Sequence, residues 1–310
     1  MKIAFVFPGQ GSQAVGMLDA FAGDAAAQDV LARARAALGD DLGKLIAEGP
    51  AEQLNLTVNT QPAMLAAGVA VYRAWRAAGG AAPALMAGHS LGEYSALVAA
   101  EALPVENALR LVRFRAQVMQ EAVPAGTGGM AAILGLTDEL VAQACAEAAQ
   151  GEVVEPVNFN APSQVVIAGH AAAVARACEV AKRAGAKRAL LLPVSAPFHS
   201  SLLAPAAEKL RERLRGEPIA TPRIPVINNI DVAVETEPDR IRDALARQAA
   251  GPVRWAQIIG SMAAEGVTHV VECGPGRVLA GLTKRIAPGI ESLALTDPAS
   301  IVEALARLKG

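Results

Sequence analysis

The strongest structural signal in this chain is the segment APALMAGHSLGEYSALV, which spans residues 82–98. An apolar run leads into the pentapeptide G-x-S-x-G and a helix-forming run follows it, so the pattern predicts a strand, a tight turn and a helix. Such a turn lifts the hydroxyl of Ser90 off a sheet and places it at a helix N-terminus, where backbone N–H groups stabilise an oxyanion. The same pentapeptide also fits a strand-to-helix turn whose serine takes no part in catalysis, so the assignment of Ser90 as a nucleophile depends on other residues.

Composition places the chain among folded globular proteins. It has 310 residues, 53% hydrophobic and 19% charged, which is enough for one large domain and a smaller one. A net charge of −2 argues against nucleic acid or a membrane surface as a partner. The three cysteines have no C-x-x-C spacing, so we expect reduced core residues of a cytoplasmic protein. The N-terminus lacks a signal-peptide pattern, and no apolar run predicts a transmembrane helix.

Strands alternate with helices through most of the chain, which predicts an α/β fold with a mostly parallel sheet covered on both faces. Beyond the opening segment, strands are predicted at 2–7, 224–228 and 267–272. Helices are predicted at 27–38, 61–78, 105–122, 238–249, 253–265 and 277–286.

The middle of the chain has a different order, β-α-β-β-α-β, which is the ferredoxin-like pattern. Its strands are predicted at 130–134, 153–158, 164–168 and 189–194, and its helices at 137–149 and 171–184. Asn160, Pro162 and Ser163 supply the central turn. We therefore predict a small subdomain at 124–196, inserted into a large domain made of 1–123 and 197–310.

A serine nucleophile needs a base, and the chain has four histidines. His199 lies in a loop just after a strand, where catalytic residues gather at the edge of a parallel sheet, so it is the favoured candidate. His89 is adjacent to Ser90 and is expected to point elsewhere, while His170 and His269 fit structural or surface positions. No Asp or Glu stands out as a third triad member, so we favour a Ser–His dyad oriented by a backbone carbonyl.

Arg115 is the most informative charged residue. In a helix over 105–122, Arg115 falls on the apolar face, among Leu111, Val118 and Met119. A cation there is costly unless an anion pairs with it. It is either a snorkelling side chain, one half of an internal salt bridge, or a fork that grips a substrate carboxylate with two parallel hydrogen bonds.

The loop after the first strand contains Gly9, Gln10 and Gly11, which also fit a weak dinucleotide fingerprint. That fingerprint needs an acidic residue at the end of the next strand, but the nearest candidate, Asp29, lies in a helical stretch. We therefore expect a backbone N–H of this loop to complete an oxyanion hole beside Ser90. No metal-ligand spacing and no P-loop occurs, so no metal or cofactor is expected.

Seven short motifs occur together in one order along the chain. They are FPGQGSQ (residues 7–13), TQPA (60–63), GHSLGE (88–93), Arg115 with MQEA (119–122), NFN (158–160), VSAPFH (194–199) and GPG (274–276). Each is weak alone, but their joint order and spacing are specific. The chain resembles the malonyl-CoA:acyl carrier protein transacylases of fatty acid synthesis along its whole length.

This resemblance implies a role for each matching residue. It implies that Ser90 is the nucleophile, that His199 is the base and that the main-chain carbonyl of Gln248 orients the histidine. It implies an oxyanion hole formed by the N–H groups of Gln10 and Leu91, and a clamp for the malonyl carboxylate formed by Arg115. The other residues that it assigns to the substrate site are Met119, Asn160 and Phe198. A Phe at the position of Phe198 accompanies malonyl selection over methylmalonyl in related polyketide acyltransferases. The resemblance also implies an α/β-hydrolase-like large domain whose ferredoxin-like insertion forms one wall of the cleft.

The implied partners are malonyl-CoA and an acidic acyl carrier protein, and the implied assembly is a monomer. CoA and phosphopantetheine thioesters are then substrates, not cofactors. A carrier-binding rim is expected from a set of basic residues: Lys182, Arg183, Lys187, Arg188, Lys284 and Arg285. The alternatives are a malonyl transferase of a polyketide synthase or a malonate decarboxylase, a serine esterase or thioesterase, and a non-catalytic scaffold.

Overall fold

The computed structural model describes residues 1–124, 126–194 and 196–308. Its strands are β1 (Ile3–Phe7), β2 (Leu85–Gly88), β3 (Gly128–Leu134), β4 (Val154–Ala161), β5 (Gln164–His170), β6 (Arg188–Leu191), β7 (Val226–Ile227), β8 (His269–Cys273) and β9 (Glu291–Leu295). Its α-helices are α1 (Ala25–Leu38), α2 (Leu42–Glu48), α3 (Ala51–Leu54), α4 (Thr57–Ala77), α5 (Gly92–Ala99), α6 (Val105–Glu121), α7 (Asp138–Ala149), α8 (Ala171–Arg183), α9 (Ala204–Leu214), α10 (Pro238–Gln248), α11 (Trp255–Ala264), α12 (Val278–Ile286) and α13 (Pro298–Arg307).

The larger sheet has the strand order β7-β2-β1-β8-β9, and every pairing in it is parallel. This confirms the predicted α/β class and parallel sheet. In the register of β1 and β2, Phe7 lies opposite Gly88. The two strands therefore end side by side, and the loops that follow them meet at one edge of the sheet.

The two faces of this sheet bury different clusters. Phe5 points to one side and packs edge-on against Tyr72 and Trp75 of α4, with ring centroids 5.8 and 5.5 Å away. Its neighbours Ala4 and Val6 belong to a separate cluster that contains residues of α11 and α12. Because successive side chains of a strand point to opposite faces, the sheet is covered on both sides, as the sequence predicts.

The smaller sheet is antiparallel, with the order β4-β5-β3-β6. This order and the β-α-β-β-α-β sequence confirm the ferredoxin-like prediction. Ala131, Ile133, Val165 and Ile167 pack on one face with residues of α7 and α8. The opposite face is left to meet the larger domain.

The boundaries at 124–196, 1–123 and 197–310 stay a prediction. They include Ala125, Ser195, Lys309 and Gly310, which lie outside the described residues. Among those that are described, no helix is long and apolar enough to cross a membrane.

Some elements differ from the prediction. β7 is restricted to two residues because Pro225 has no N–H for the ladder, and β6 ends before Pro193 for the same reason. Asn160 lies inside β4, and the turn is made by Pro162 and Ser163, the latter at φ +59°. The helices α2, α3, α9 and α13 and the strand β9 were not predicted.

Gly88 is required by the close approach of β2 to α5. A Cβ there would lie 1.8 Å from the backbone carbon of Gly92. We expect Gly88→Ala to lower the free energy of unfolding by about 1–3 kcal/mol, the usual cost of overpacking, in urea titrations. The matched control is Gly260→Ala in α11, where an added methyl meets nothing within 4 Å and alanine favours the helix. Equal stability of the two variants would contradict this account.

Candidate active site

The loop between β2 and α5 holds Ser90 in a left-handed backbone conformation, with φ +52°. Few residues other than glycine adopt this region without strain, so surrounding contacts must hold it. A Cβ on Gly92 would lie 2.0 Å from the carbonyl oxygen of Phe7. The glycine thus allows α5 to begin directly against the end of β1, and the serine side chain is left at the sheet edge.

Asn229, which follows β7, holds the turn through both ends of its side chain. Its Oδ1 accepts a 2.7 Å hydrogen bond from the Ser90 N–H, and its Nδ2 donates to the Gly88 carbonyl at 2.7 Å. Its own N–H donates to Glu93 Oε2 at 2.8 Å. Sequence reasoning missed this residue; its only signal was an amide at the end of a short apolar strand.

Ser90 and His199 are brought together although they are 109 positions apart in the chain. The Oγ of Ser90 lies 2.7 Å from Nε2 of His199. The Nδ1 of His199 lies 2.8 Å from the main-chain carbonyl of Gln248, the last residue of α10. Because a carbonyl can only accept, Nδ1 carries the proton and Nε2 is free to accept one from the serine.

The environment keeps His199 neutral. Burial, reinforced by the positive charge of Arg115, lowers the pKa of the imidazole to about 3. The residue is 5% exposed and, like Ser90, has a left-handed backbone, with φ +68°. At neutral pH the imidazole is therefore an unprotonated acceptor directed at the serine hydroxyl.

Arg115 is only 2% exposed and has no carboxylate partner among the described residues. Its Nη1 donates to Gln61 Oε1 at 2.7 Å, and its Nη2 donates to Gln248 Oε1 at 3.0 Å and to Ser90 Oγ at 3.2 Å. Its Nε is buried and has no hydrogen-bond partner among the described residues. The guanidinium is thus neither snorkelling nor salt-bridged, and a buried cation surrounded by neutral acceptors is a site for an anion.

The side chain of Gln248 separates Arg115 from the nearest acid. Its Oε1 faces the guanidinium, while its Nε2 donates to Glu93 Oε2 at 2.9 Å and to the Ser90 carbonyl at 3.0 Å. Burial raises the pKa of Glu93 to about 7, against the opposing effects of these hydrogen bonds and of Arg115. One amide therefore links the arginine, the serine and the glutamate, and its main chain holds the histidine.

The loop after β1 packs onto the turn that contains Ser90. A Cβ on Gly9 would lie 2.6 Å from the carbonyl oxygen of His89. The side chain of Gln10 is held by Thr57 at 2.9 Å. Neither the N–H of Gln10 nor that of Leu91 donates to another described residue, and both residues line the cleft beside the serine. Two adjacent donors are therefore available to a ligand.

A cleft of about 200 Å³ contains this constellation and lies between the two sheets. The predicted residues that line it are Gln10, Ser90, Leu91, Arg115, Met119, Asn160, Phe198 and His199. Gln248 is not among the lining residues and contacts His199 through its main-chain carbonyl. The remaining lining residues were not assigned to the site from sequence; they are Gln61, His89, Met130, Asn158, Val166, Leu192 and Val194.

His89 differs from expectation. It lines the cleft, and its Nε2 lies 2.8 Å from Oδ1 of Asn160. Its ring also packs against Trp255, with centroids 5.5 Å apart. Burial lowers its pKa, so it is neutral and joins β4 of the smaller sheet to the serine turn. The adjacent histidine thus has a positioning contact that sequence alone did not indicate.

Comparison with known proteins identifies the family. A sequence model described as the acyl transferase domain matches residues 4–304. The chain belongs to the acyl transferase family. It is 57% identical over 305 residues to the malonyl CoA-acyl carrier protein transacylase of Escherichia coli strain K12, covering 98% of this chain and 99% of that one.

Solved structures agree with this assignment. The acyl transferase superimposes on an acyl-carrier-protein S-malonyltransferase from Burkholderia pseudomallei 1710b with a TM-score of 0.97 and 65% identity, covering 99% of this chain and 100% of the other. A malonyl-transacylase in complex with its type II PKS acyl-carrier protein gives a TM-score of 0.98 and 51% identity, covering 99% and 100%. Similarity therefore extends over the whole fold.

Glu93 offers a test of the network around the serine. At pH 8, above the pKa of about 7, where Glu93 is mostly ionised, we expect Glu93→Gln to fold normally but to slow modification of Ser90 by phenylmethylsulfonyl fluoride about tenfold, because two charge-assisted hydrogen bonds become neutral ones. The matched control is Glu272→Gln. Glu272 is equally buried, its pKa is also raised to about 7 by burial, and it binds the N–H of Ala280 away from the cleft. If both variants react at the wild-type rate, Glu93 does not position the serine.

Proposed function

We propose that this acyl transferase moves a malonyl group from CoA to the phosphopantetheine thiol of an acyl carrier protein, through a malonyl ester on Ser90. The observation that carries the proposal is the buried Arg115, whose Nη2 is 3.2 Å from the serine Oγ and which has no ionic partner within residues 1–124, 126–194 and 196–308. A malonyl group has a carboxylate one methylene beyond its thioester carbonyl. It therefore matches a nucleophile and a cation that lie this close together.

In the first half-reaction, Ser90 attacks the thioester carbonyl while His199 takes its proton. The negative oxygen of the tetrahedral intermediate is received by the N–H groups of Gln10 and Leu91, and losing one such donor costs about 2.7–4 kcal/mol in comparable enzymes. When the C–S bond breaks, the proton on His199 passes to the sulfur and CoA leaves. The carbonyl of Gln248 stabilises the transient imidazolium.

The cleft residues provide orientation and selectivity. Arg115, itself held by Gln61, fixes the free carboxylate so that only the thioester end reaches the serine. Met119 lies against the malonyl methylene, and Phe198 limits the room for an α-methyl branch, which favours malonyl over methylmalonyl. The Oδ1 of Asn160 already accepts a hydrogen bond from Nε2–H of His89, and Asn160 contributes to the substrate site from the smaller sheet.

In the second half-reaction, the carrier thiol enters the same position, gives its proton to His199 and attacks the ester carbonyl. The bond between the acyl carbon and the Ser90 oxygen then breaks, and the proton on His199 returns to the serine oxygen. The apolar lining, with Met130, Val166 and Leu192, reduces access of water. The alternative of a serine esterase or thioesterase is not favoured, since His199 is oriented by a carbonyl and not by an acid, and the chain's similarity lies with acyl transferases.

The carrier-binding rim is best supported at the end of the smaller sheet where β5 and β6 begin. Arg285 hydrogen-bonds Gln164 at the start of β5, and Arg188 lies opposite Leu134 in the neighbouring strand pair. From there the residues of β6 lead along the sheet towards the cleft. We propose that Arg188 and Arg285, with the adjacent Lys187 and Lys284, meet the acidic carrier and its phosphate.

Lys182 and Arg183 contribute less to this rim, because they pair with Glu179 and Glu147 on their own surface. We further propose that the enzyme acts as a monomer in the cytoplasm and uses no cofactor besides its thioester substrates.

Malonyl-CoA alone should test the nucleophile and the substrate together. We expect one equivalent of CoA to be released in a burst and mass spectrometry to find a malonyl adduct on Ser90, because water is a poor acceptor in this cleft. Adding a holo acyl carrier protein should discharge the adduct. Ser90→Ala serves as the control and should abolish the burst. Rapid steady release of CoA without the carrier would instead indicate a hydrolase.

Arg115→Ala tests the carboxylate clamp. We expect kcat/KM for malonyl-CoA to fall about hundredfold or more, since two charge-assisted hydrogen bonds are lost. The preference for malonyl-CoA over acetyl-CoA should shrink accordingly. Arg110→Ala, on the exposed face of the same helix, is the matched control and should change neither value. An unchanged malonyl-to-acetyl preference in Arg115→Ala would assign the clamp to another residue.

A further inference from the structure

We propose that the substrate's own carboxylate activates the Ser90–His199 pair by releasing a restraint that Arg115 places on it. This inference rests on the function proposed above and concerns how the site distinguishes a malonyl thioester from a neutral one. It makes the carboxylate a participant in catalysis as well as a handle for binding.

The restraint begins at the serine oxygen. The hydroxyl hydrogen of Ser90 faces His199 Nε2 at 2.7 Å, and one lone pair of the same oxygen accepts from Arg115 Nη2 at 3.2 Å. A hydrogen bond from a cation withdraws electron density from the serine oxygen, which weakens it as a nucleophile, and holds the hydroxyl in one position. The unliganded site therefore restrains its nucleophile through this contact.

The charge of Arg115 acts on the histidine as well. Proton transfer from Ser90 turns His199 into an imidazolium in a buried site that already contains a guanidinium. The positive charge of Arg115 is one of the causes that lower the pKa of His199, after burial. A second buried positive charge is costly, and no contacting carboxylate among the described residues compensates it.

The other titratable groups near the pair do not cancel this charge. Glu93 reaches Arg115 only through the amide of Gln248, and burial raises its pKa to about 7. His89 is neutral because burial lowers its pKa. Tyr94, whose ring lies 5.5 Å from the guanidinium carbon, is neutral because burial raises its pKa. The cation therefore acts on the Ser–His pair with no carboxylate in contact with it among the described residues.

A bound carboxylate removes both effects. A bidentate carboxylate takes N–H groups of the guanidinium, so the Nη2 contact to Ser90 is released. Its negative charge then offsets that of Arg115 at the moment when the imidazolium forms. An acetyl group does neither, so part of the discrimination lies in the rate of serine acylation and not only in substrate affinity.

The proposal predicts chemical complementation. An acetyl group and a formate ion together contain the groups of malonyl with one C–C bond removed, and formate is small enough for the space that the malonyl carboxylate leaves empty. An opposite charge at contact distance changes the basicity of a neighbouring group by about tenfold or more. Saturating formate should therefore accelerate acetylation of Ser90 by acetyl-CoA about tenfold.

The experiment follows acetyl-Ser90 in the whole enzyme by quenched-flow mass spectrometry, with sodium formate or an equal concentration of sodium chloride. Formate should accelerate acetylation saturably in the wild type and in Arg110→Gln, whose side chain is exposed on the same helix. It should have no effect in Arg115→Gln. With malonyl-CoA, formate should only inhibit, because it competes for the same position.

The outcomes separate this inference from the proposed function. If malonyl-CoA acylates Ser90 normally but formate fails to accelerate acetylation, the activation is wrong and the function stands. Equal acceleration in Arg115→Gln would also overturn it, since formate would then act elsewhere. If malonyl-CoA does not acylate Ser90 at all, the proposed function itself fails.

Discussion

The left-handed backbone of Ser90 is the constraint on which the rest of the site depends. It directs the serine oxygen out of the sheet edge, and it persists because Asn229 binds the backbone on both sides of the turn. Asn229 is held in turn by Glu93, which lies one helical turn after the serine on α5. The strain at one residue is therefore balanced by hydrogen bonds from a neighbouring strand end and from the helix that the turn begins.

A second constraint is electrostatic. Arg115 is buried on the apolar face of α6, and neutral oxygens of Gln61, Gln248 and Ser90 satisfy part of its hydrogen-bonding capacity. This arrangement solvates the guanidinium partially while leaving its charge uncompensated. A permanent acidic partner for Arg115 would fill the position that we propose for the substrate carboxylate, so the proposed function requires this charge to stay unpaired in the free enzyme.

Much of this organisation was predictable from sequence. The strand–turn–helix around Ser90, the parallel sheet and the β-α-β-β-α-β insertion follow from local pattern, since glycine spacing and apolar periodicity report backbone geometry directly. The position of the charged Arg115 on an apolar helix face was likewise predictable, because helical geometry fixes which side chains share a face.

The contacts that hold the site were not predictable in the same way. Asn229 meets Ser90 and Glu93 only after β7 packs beside β2, and nothing in its local sequence indicates such long-range pairing. His89 shows the same limit, since its bond to Asn160 depends on where the smaller sheet docks. Strands β7 and β6 are shorter than predicted because Pro225 precedes β7 and Pro193 follows β6, although the apolar pattern continues past both prolines.

The two ends of the Gln248 amide have an evolutionary consequence. Its oxygen must face a donor and its nitrogen an acceptor, and these are Arg115 and Glu93. A partner of the opposite hydrogen-bonding character leaves a buried end of the amide unmatched or turns the group around, which disturbs the main chain that orients His199. These three positions are therefore expected to vary together among related proteins.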